Sequence, residues 1–264
     1  MSKQPVIFRD LGQMDYKTAW DYQEQLLQEN VRRKSEARSL KPEIRSQVEA
    51  GALQSNFQLP TSGLQPPTSD LDNQHYLLFV EHPPVYTLGK SGNIENVLIS
   101  DEMRSMKGIE FFRTNRGGDI TFHGPQQIVG YPILDLEKFY TDIGKYLRNI
   151  EEVIILTVAE YGIEAGRSKG ETGVWLDTGK PGRERKICAI GVRSSRWITM
   201  HGFALNVNTD LSHFNFIIPC GIQGKQVTSL EKELGYKVDF EEAKEKVKRN
   251  FEKVFEAELI GNMQ

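Results

Sequence analysis

The chain has 264 residues, of which 38% are hydrophobic, 26% are charged and 9% are aromatic. This composition is typical of a globular protein and excludes global disorder, a collagen-like chain and a coiled coil. A formal net charge of −3 indicates no general attraction to nucleic acid, and two cysteines, Cys188 and Cys220, are too few for a disulfide framework or a four-thiolate zinc site.

Charged residues between Arg9 and Lys17 interrupt the N-terminal segment before an apolar stretch of signal-peptide length develops. No apolar run approaches the roughly 20 residues that a helix needs to cross a bilayer. We therefore expect a cytoplasmic protein that binds neither membrane nor nucleic acid.

Three segments repeat apolar residues at the period of an amphipathic helix. The first lies between Tyr16 and Val31 and the second between Ile143 and Val158. The third begins at Asp239, with Glu242 at capping-box spacing, and we expect it to close the chain. Segments rich in β-branched and aromatic residues predict strands at Tyr76–Glu81, Glu110–Thr114, Ile128–Leu134, Gly173–Leu176, Ile187–Arg193 and Trp197–Val207.

The order of these elements predicts a single α/β (α+β) domain over residues 1–264. Several strands follow one another without room for a crossover helix, which favours a mixed sheet flanked by helices over strict βαβ alternation. Residues 51–74 hold three prolines and only two charges, so they predict an extended surface loop. We place a polar loop or insertion at about 32–74.

Two stretches combine glycines or apolar residues with side chains suited to chemistry. Residues 116–125 place paired glycines between Arg116 and His123, which fits a ligand-binding loop but equally a hairpin that turns at Gly-Gly-Asp. Residues 186–192 put Lys186 at the mouth of an apolar strand, where a solvated lysine is the simpler interpretation. Strand alternation would place Lys186, Cys188 and Ile190 on one face.

A third stretch presents Cys220 between Pro219 and Gly221, after an apolar run. A thiol at such a turn is open to a substrate, although an inert, packed cysteine fits the residues as well. Cys188 lies within an apolar strand pattern and fits the inert interpretation better. The region from Gly166 to Trp197 carries eight basic and three acidic residues, which indicates either a solvated face or a docking surface for an acidic partner.

Six ordered motifs lie between Tyr76 and Leu230. They are EHPPVYTLG at 81–89, RGGDITFHG at 116–124, YPILDL at 131–136, KICAIG at 186–191, GFALNV at 202–207 and PCGI at 219–222. Together they resemble the octanoyl-[acyl carrier protein]:protein N-octanoyltransferases of lipoate synthesis. Gln126 departs from the family pattern, which commonly has glycine there, and the segment at about 32–74 is one that many members lack or shorten.

The resemblance implies a fold similar to that of the biotin and lipoate protein ligases. It also implies an acyltransferase that moves an octanoyl group from octanoyl-acyl carrier protein to the ε-amine of a lysine on a lipoyl domain. The expected acceptors are the lipoyl domains of 2-oxoacid dehydrogenases and the glycine cleavage H protein. Because the donor arrives activated as a thioester, we expect no cofactor and no metal.

The resemblance also implies roles for individual residues. Cys220 would attack the donor thioester and carry the octanoyl group as an acyl-thioester, while Lys186 would lower the pKa of that thiol and act as general base. His123 would orient or shape the pocket, or else serve as the base of a Cys–His pair. The implied substrate-binding residues are Arg116, Gly117, Gly118, Asp119, Ile120, Thr121, Phe122, His123, Ala189, Ile190, Gly191, Gly202, Phe203 and Ala204.

Two other functions fit the same motifs. One is an ATP-dependent lipoate–protein ligase of the same fold, although that class works without an essential cysteine. The other is a non-catalytic module that binds a carrier protein. If the basic region docks the acidic carrier, we expect Arg183 and Arg185 to contribute.

Overall fold

The computed structural model describes residues 3–51, 74–218 and 226–261. The helices are α1 (Tyr16–Gly51), α2 (Asp101–Met106), α3 (Ile143–Ala159), α4 (Leu230–Leu234) and α5 (Phe240–Phe255). The strands are β1 (Gln4–Gln13), β2 (Tyr76–Glu81), β3 (Val85–Leu88), β4 (Glu110–Arg113), β5 (Ile120–His123), β6 (Gln127–Ile133), β7 (Val174–Leu176), β8 (Arg185–Ser195), β9 (Ile198–Asn206), β10 (Gln226–Val227) and β11 (Ala257–Ile260).

Within these ranges eight strands form one large sheet and three form a small one. The large sheet has the order β10-β8-β9-β6-β2-β1-β11, with β7 also paired to β8, and the small sheet has the order β4-β3-β5. Parallel pairs (β1 with β2 and β11, β10 with β8, β3 with β4) occur beside antiparallel ones. The predicted mixed sheet is confirmed.

Strand β2 shows why helices cover both faces of the large sheet. Leu77 and Phe79 belong to a hydrophobic cluster with residues of α3 and α5, whereas Leu78 and Val80 belong to a second cluster with residues of α1. Because successive side chains of a strand point to opposite faces, this alternation requires an apolar cover on each side. No helix within the described ranges is long and apolar enough to span a lipid bilayer.

The three predicted helices are confirmed, and α5 begins as expected, because the Asp239 side chain accepts a hydrogen bond from the backbone N–H of Glu242. The expectation that this helix closes the chain is wrong. Strand β11 follows it and pairs in parallel with β1, with Ala257 opposite Gln4. The four residues of β11 are too few to show a strand alternation, and the partner strand β1 lies near the other end of the sequence. Local sequence therefore did not indicate this strand.

The predicted loop at about 32–74 is partly helical. Helix α1 continues to Gly51, so the first half of the predicted insertion extends that helix. Residues 52–73, which include most of the predicted extended loop, lie outside the described residues.

A buried ion pair fastens α1 to the end of β6. The Lys34 ammonium lies 2.7 Å from a carboxylate oxygen of Asp135 and donates to the backbone carbonyl of Arg196 at 2.9 Å. The side chains of Lys34 and Asp135 are only 6% and 2% exposed. Glu137 adds a second, more exposed carboxylate at 3.1 Å from the same ammonium. Removal of Lys34 would therefore leave Asp135 buried with its main counter-charge gone.

We expect Lys34→Met to lower the free energy of unfolding by roughly 3–5 kcal/mol, the usual effect of removing one partner of a buried ion pair. Urea denaturation measures it. Lys17→Met is the matched control, because Lys17 pairs with Asp21 on the exposed face of the same helix, and such pairs contribute under about 1 kcal/mol. Equal losses in the two variants would contradict the prediction.

Candidate active site

A cavity of about 350 Å³ lies between the small sheet and strands β6, β8 and β9 of the large sheet. This volume is within the range of about 300–1,000 Å³ that is typical of small-molecule sites. Most of the residues predicted to bind substrate line it, together with Lys186. They are Arg116, Gly118, Asp119, Ile120, Thr121, His123, Ala189, Ile190, Gly191, Gly202, Phe203 and Ala204.

Two predicted site residues are described but do not line this cavity. Gly117 instead donates its backbone N–H to the carbonyl of Val192 at 2.8 Å, which joins the loop to β8. Phe122 packs in the core of the small sheet and stacks on His213 with 4.5 Å between ring centroids. Cys220, the predicted nucleophile, lies outside the described residues.

The loop at 116–119 is not the turn of a hairpin. Strands β4 and β5 both pair with β3 and therefore do not pair with each other, so the hairpin interpretation is wrong. The loop instead lies against β8. A Cβ atom placed on Gly191 would come within 2.8 Å of the Gly117 carbonyl oxygen, so this approach requires glycine at position 191.

Arg116 is a buried cation in the wall of the cavity and is 7% exposed. Its guanidinium donates to the backbone carbonyl of Thr87 at 2.6 Å, to the Thr87 hydroxyl at 2.9 Å and to the carbonyl of Gly117 at 3.0 Å. These bonds hold the positive charge in place between β3 and the glycine loop.

His123 is neutral, and both of its ring nitrogens have partners. Nδ1 lies 2.9 Å from Oε1 of Gln127, and Nε2 lies 3.3 Å from the hydroxyl of Thr87. Because a carboxamide oxygen only accepts, we assign the proton to Nδ1. Burial lowers the pKa of His123 well below its usual value, and the nearby His82 and Arg116 act in the same direction. This environment fits the pocket-shaping role better than that of a general base.

Gln127, which contacts His123, also hydrogen-bonds to the neighbouring strand β9. Its amide nitrogen donates to Oδ1 of Asn206 at 2.8 Å, and Asn206 in turn donates to the carbonyl of Thr228 at 2.9 Å. The backbone N–H of Thr228 donates to the carbonyl of Lys186 at 2.9 Å. A chain of hydrogen bonds through Gln127, Asn206 and Thr228 thus connects His123 to the backbone of Lys186.

Two further histidines adjoin the cavity and are also neutral. His82 contacts the Met14 carbonyl through Nδ1 at 2.8 Å and the Tyr131 hydroxyl through Nε2 at 2.7 Å. Burial lowers its pKa to about 4. His201, whose backbone is left-handed (φ 58°), contacts the side chain of Asn115 at 2.8 Å, and burial lowers its pKa to about 3.

Several residues of the cavity wall had no assigned role in the sequence interpretation. Tyr16 begins α1, stacks on His123 at 6.0 Å between ring centroids and lines the cavity. Its position on the apolar face of the helix is indistinguishable in sequence from that of a core residue. Others that line the cavity are Gln127, Val129, Tyr131, Glu171, Thr172, His201, Asn206, Phe214 and Val227.

Lys186 is buried, so the solvated interpretation of this lysine is wrong. It is 7% exposed, and its ammonium lies 4.4 Å from the centroid of the Trp175 ring. The expected shared face with Cys188 is also wrong. Val174 pairs with Cys188 and Trp175 with Lys186, so β8 has an extra residue, Ile187, between the two pairs. This bulge breaks the alternation.

Cys188 itself belongs to the hydrophobic cluster beneath α3 and α5 and is fully buried. Burial raises the pKa of its thiol strongly. A thiol in this environment stays protonated, so the inert interpretation of Cys188 fits the structure.

The described residues on either side of Cys220 belong to the site. Phe214 and Val227 both line the cavity. Ile218 donates its backbone N–H to the carbonyl of Asn96 at 2.8 Å, and Val227 pairs with Lys186 in the sheet. Described residues before and after the Pro-Cys-Gly-Ile motif therefore line the same cavity.

Gln126 adopts the backbone conformation that glycine favours, with φ 61°. Its backbone N–H donates to the carboxylate of Glu81 at 2.7 Å. Its backbone carbonyl accepts from the backbone N–H of Asn208 at 3.1 Å and from the Thr209 hydroxyl at 3.0 Å. These bonds offset the strain of a left-handed non-glycine residue. The departure from the family pattern therefore preserves the turn.

The two arginines expected at a docking surface differ in their surroundings. The guanidinium of Arg185 is held by Glu233 and Asp177, whereas the side chain of Arg183 is 70% exposed and lies 3.8 Å from Asp177. Of the two, Arg183 has the more exposed charge. Nowhere in the described ranges do three or more histidine, cysteine or acidic side chains converge to hold a metal ion.

The sequence matches the model of the lipoyl protein ligase A/B catalytic domain over residues 62–252. Curated relatives include the octanoyltransferase of Flavobacterium johnsoniae, which is 56% identical over 97% of this chain and 98% of its own length. The octanoyltransferase of Cytophaga hutchinsonii is 47% identical over 96% of this chain and 94% of its own.

Solved structures show the same fold at low sequence identity. The bipartite lipoate protein ligase of Thermoplasma acidophilum aligns with a TM-score of 0.61 and 14% identity, covering 99% of this chain and 87% of its own. A lipoate-protein ligase A bound with ATP aligns with a TM-score of 0.61 and 13% identity, covering 99% and 89%. The predicted likeness to the lipoate ligase fold is confirmed.

The buried neutral histidines predict a loss of stability in acid. Because the pKa values of His82 and His201 are lowered in the fold, the unfolded chain binds protons first as the pH falls below about 6.5, and the loss continues towards pH 4. Between pH 7 and pH 5, protonation of each of these two histidines in the unfolded chain should lower the free energy of unfolding by on the order of 2 kcal/mol.

Urea denaturation at the two pH values measures this loss. His201→Asn tests one contribution, because asparagine tolerates the left-handed backbone but does not titrate. Its loss on acidification should be smaller than that of the unchanged protein. Identical losses would show that His201 is not held neutral.

Proposed function

Because the chain belongs to the octanoyltransferase family, with its lipoyl protein ligase A/B catalytic domain, we propose that octanoyl-acyl carrier protein is its donor and the ε-amine of a lipoyl-domain lysine its acceptor. The protein is an acyltransferase that acts in protein lipoylation. The archaeal ligase of the same fold was studied with its E2 lipoyl domain, which supports an acceptor of this class.

The observation that carries the proposal is the burial of Lys186 in the cavity wall, beside the strand that follows the Pro-Cys-Gly-Ile motif. An ordinary cysteine thiol has a pKa of about 8.5 and is only a few per cent thiolate at neutral pH. An ammonium near Cys220 favours the thiolate and so lowers the pKa of the thiol. Lys186 supplies that ammonium.

The first half-reaction forms the acyl-enzyme. The Cys220 thiolate attacks the thioester carbonyl of the donor, a new carbon–sulfur bond forms, and the bond to the carrier breaks. The Lys186 ammonium gives its proton to the departing carrier thiolate, which leaves Lys186 neutral. Hydrogen-bond donors at the cavity would stabilise the oxyanion. We assign this role to backbone N–H groups of residues 189–191, because among the described strands β8 pairs there with β9 on one edge only.

The second half-reaction delivers the acyl group. The neutral amine of the acceptor lysine attacks the Cys220 thioester, neutral Lys186 accepts the proton from the attacking nitrogen, and Cys220 leaves as thiolate. An amide forms and the resting ion pair returns. The octanoyl chain lies along apolar parts of the cavity wall such as Val129, Ile190 and Phe203.

We expect the protein mixed with octanoyl-acyl carrier protein to form an octanoyl adduct, seen by intact-mass spectrometry, that is absent from Cys220→Ser. Cys188→Ala is the matched control and should form the adduct, because the Cys188 thiol is buried and protonated. Lys186→Met should slow adduct formation by roughly 10²–10⁴-fold, the usual effect of removing a general acid–base.

Other outcomes identify the alternatives. Octanoylation of a lipoyl domain that requires ATP and free octanoate, with no Cys220 adduct, would indicate a ligase. Binding of the carrier protein without any transfer would indicate a non-catalytic module. An adduct on Cys188 would overturn the assignment of the nucleophile.

A further inference from the structure

The loop between α3 and β7 forms the wall of the cavity next to Lys186. Gly170, Glu171 and Thr172 line the cavity beside that lysine. At the base of the loop, Gly166 and Trp175 exchange two backbone hydrogen bonds of 2.8 and 2.9 Å. The loop is thus closed at its base and packs over the amine that the proposed mechanism uses.

Gly173, at the end of this loop, packs directly on the side chain of Lys186. A Cβ atom added to Gly173 would lie 3.3 Å from Cε of Lys186 and 2.7 Å from the backbone oxygen of Cys188. On another side, the Trp175 ring lies 4.4 Å from the Lys186 ammonium. The stem and head of the lysine therefore contact two residues of one short segment.

Glu151 of α3 fixes the position of Gly173. One carboxylate oxygen accepts the backbone N–H of Gly173 at 3.0 Å. The other lies 2.7 Å from the guanidinium of Arg148 and 3.0 Å from that of Arg167. The Glu151 side chain is fully buried, and a buried carboxylate is costly unless it is paired and hydrogen-bonded as this one is.

We infer that Glu151 is a positioning residue for Lys186, which it holds against the cavity by binding the backbone of Gly173. The inference rests on the proposed function, in which Lys186 acts beside Cys220. Glu151 lies 22 residues from Gly173 along the chain and touches neither the cavity nor the reacting atoms. Its effect on the chemistry passes through the loop.

The neighbouring residue Glu152 is a natural control. It also binds Arg167, at 2.6 Å, but its side chain is 39% exposed, and no hydrogen bond to Gly173 is found for it among the described residues. A role limited to anchoring Arg167 would be shared by Glu151 and Glu152. A role in positioning Lys186 belongs to Glu151 alone.

The first experiment measures the position of Lys186 without reference to activity. Trinitrobenzenesulfonate labels accessible amines, and peptide mass spectrometry reads each site, with Lys180, 60% exposed, as the internal standard. In Glu151→Met, labelling of Lys186 should rise roughly tenfold, in line with the loss of a hydrogen bond to a charged group. Glu152→Met should label like the unchanged protein.

The second experiment measures the chemistry. The pH midpoint of Cys220 alkylation by iodoacetamide should shift upward in Glu151→Met towards that of Lys186→Met and stay unchanged in Glu152→Met. Thermal denaturation checks that each variant is folded. If Glu151→Met does not fold, amide hydrogen exchange of Gly173 in the unchanged protein decides. Exchange as fast as in an open loop would show that Glu151 does not hold Gly173 and would overturn the inference.

The outcomes separate the two proposals. Unchanged labelling of Lys186 in folded Glu151→Met, or an equal increase in Glu152→Met, overturns the route through Gly173. Increased labelling confined to Glu151→Met supports the inference. If the alkylation midpoint then fails to move even in Lys186→Met, the positioning stands and the proposed effect of Lys186 on Cys220 is wrong.

Discussion

The antiparallel ladder between β8 and β9 is the interaction on which the site depends. It runs without interruption from Cys188 opposite Leu205 to Ser195 opposite Ile198. This register places Gly191 beside Gly202, so the two glycine-containing segments of the cavity wall share one patch of sheet. A slip of one residue would turn every side chain of β8 to the other face and dismantle the wall.

The cavity wall is mainly apolar, and three buried histidines lie in it or close to it. His82, His123 and His201 are all held neutral, mainly because burial disfavours the charged imidazole. Arg116 is a fixed positive charge in the same wall. Such a wall can orient a thioester through its hydrogen-bonding groups without competing for the proton that the proposed mechanism passes through Lys186.

Helices with a sustained period and local caps were predictable, whereas several strands were not. Helices α3 and α5 show their amphipathic period over several turns, and the cap at Asp239 is a local signal. Strands β4 and β7 lie within predicted strands, but β1, with ten residues, and β3 and β5, with four residues each, were not predicted. Their assignment depends on partners elsewhere in the chain, as does the pairing of β11 with β1.

The amino-acid sequence alone determines which reactive groups are present, because the six motifs, with their glycines, Lys186 and Cys220, can be read along the linear chain. Their surroundings arise from contacts distant in sequence. The bulge at Ile187 turns Lys186 away from Cys188, Trp175 and Gly173 enclose its side chain, and Glu151 reaches the loop from another helix. The burial, tautomer and charge of a side chain depend on the groups that pack against it, because burial, nearby charges and hydrogen bonds shift its pKa. Only the tertiary structure determines these neighbours.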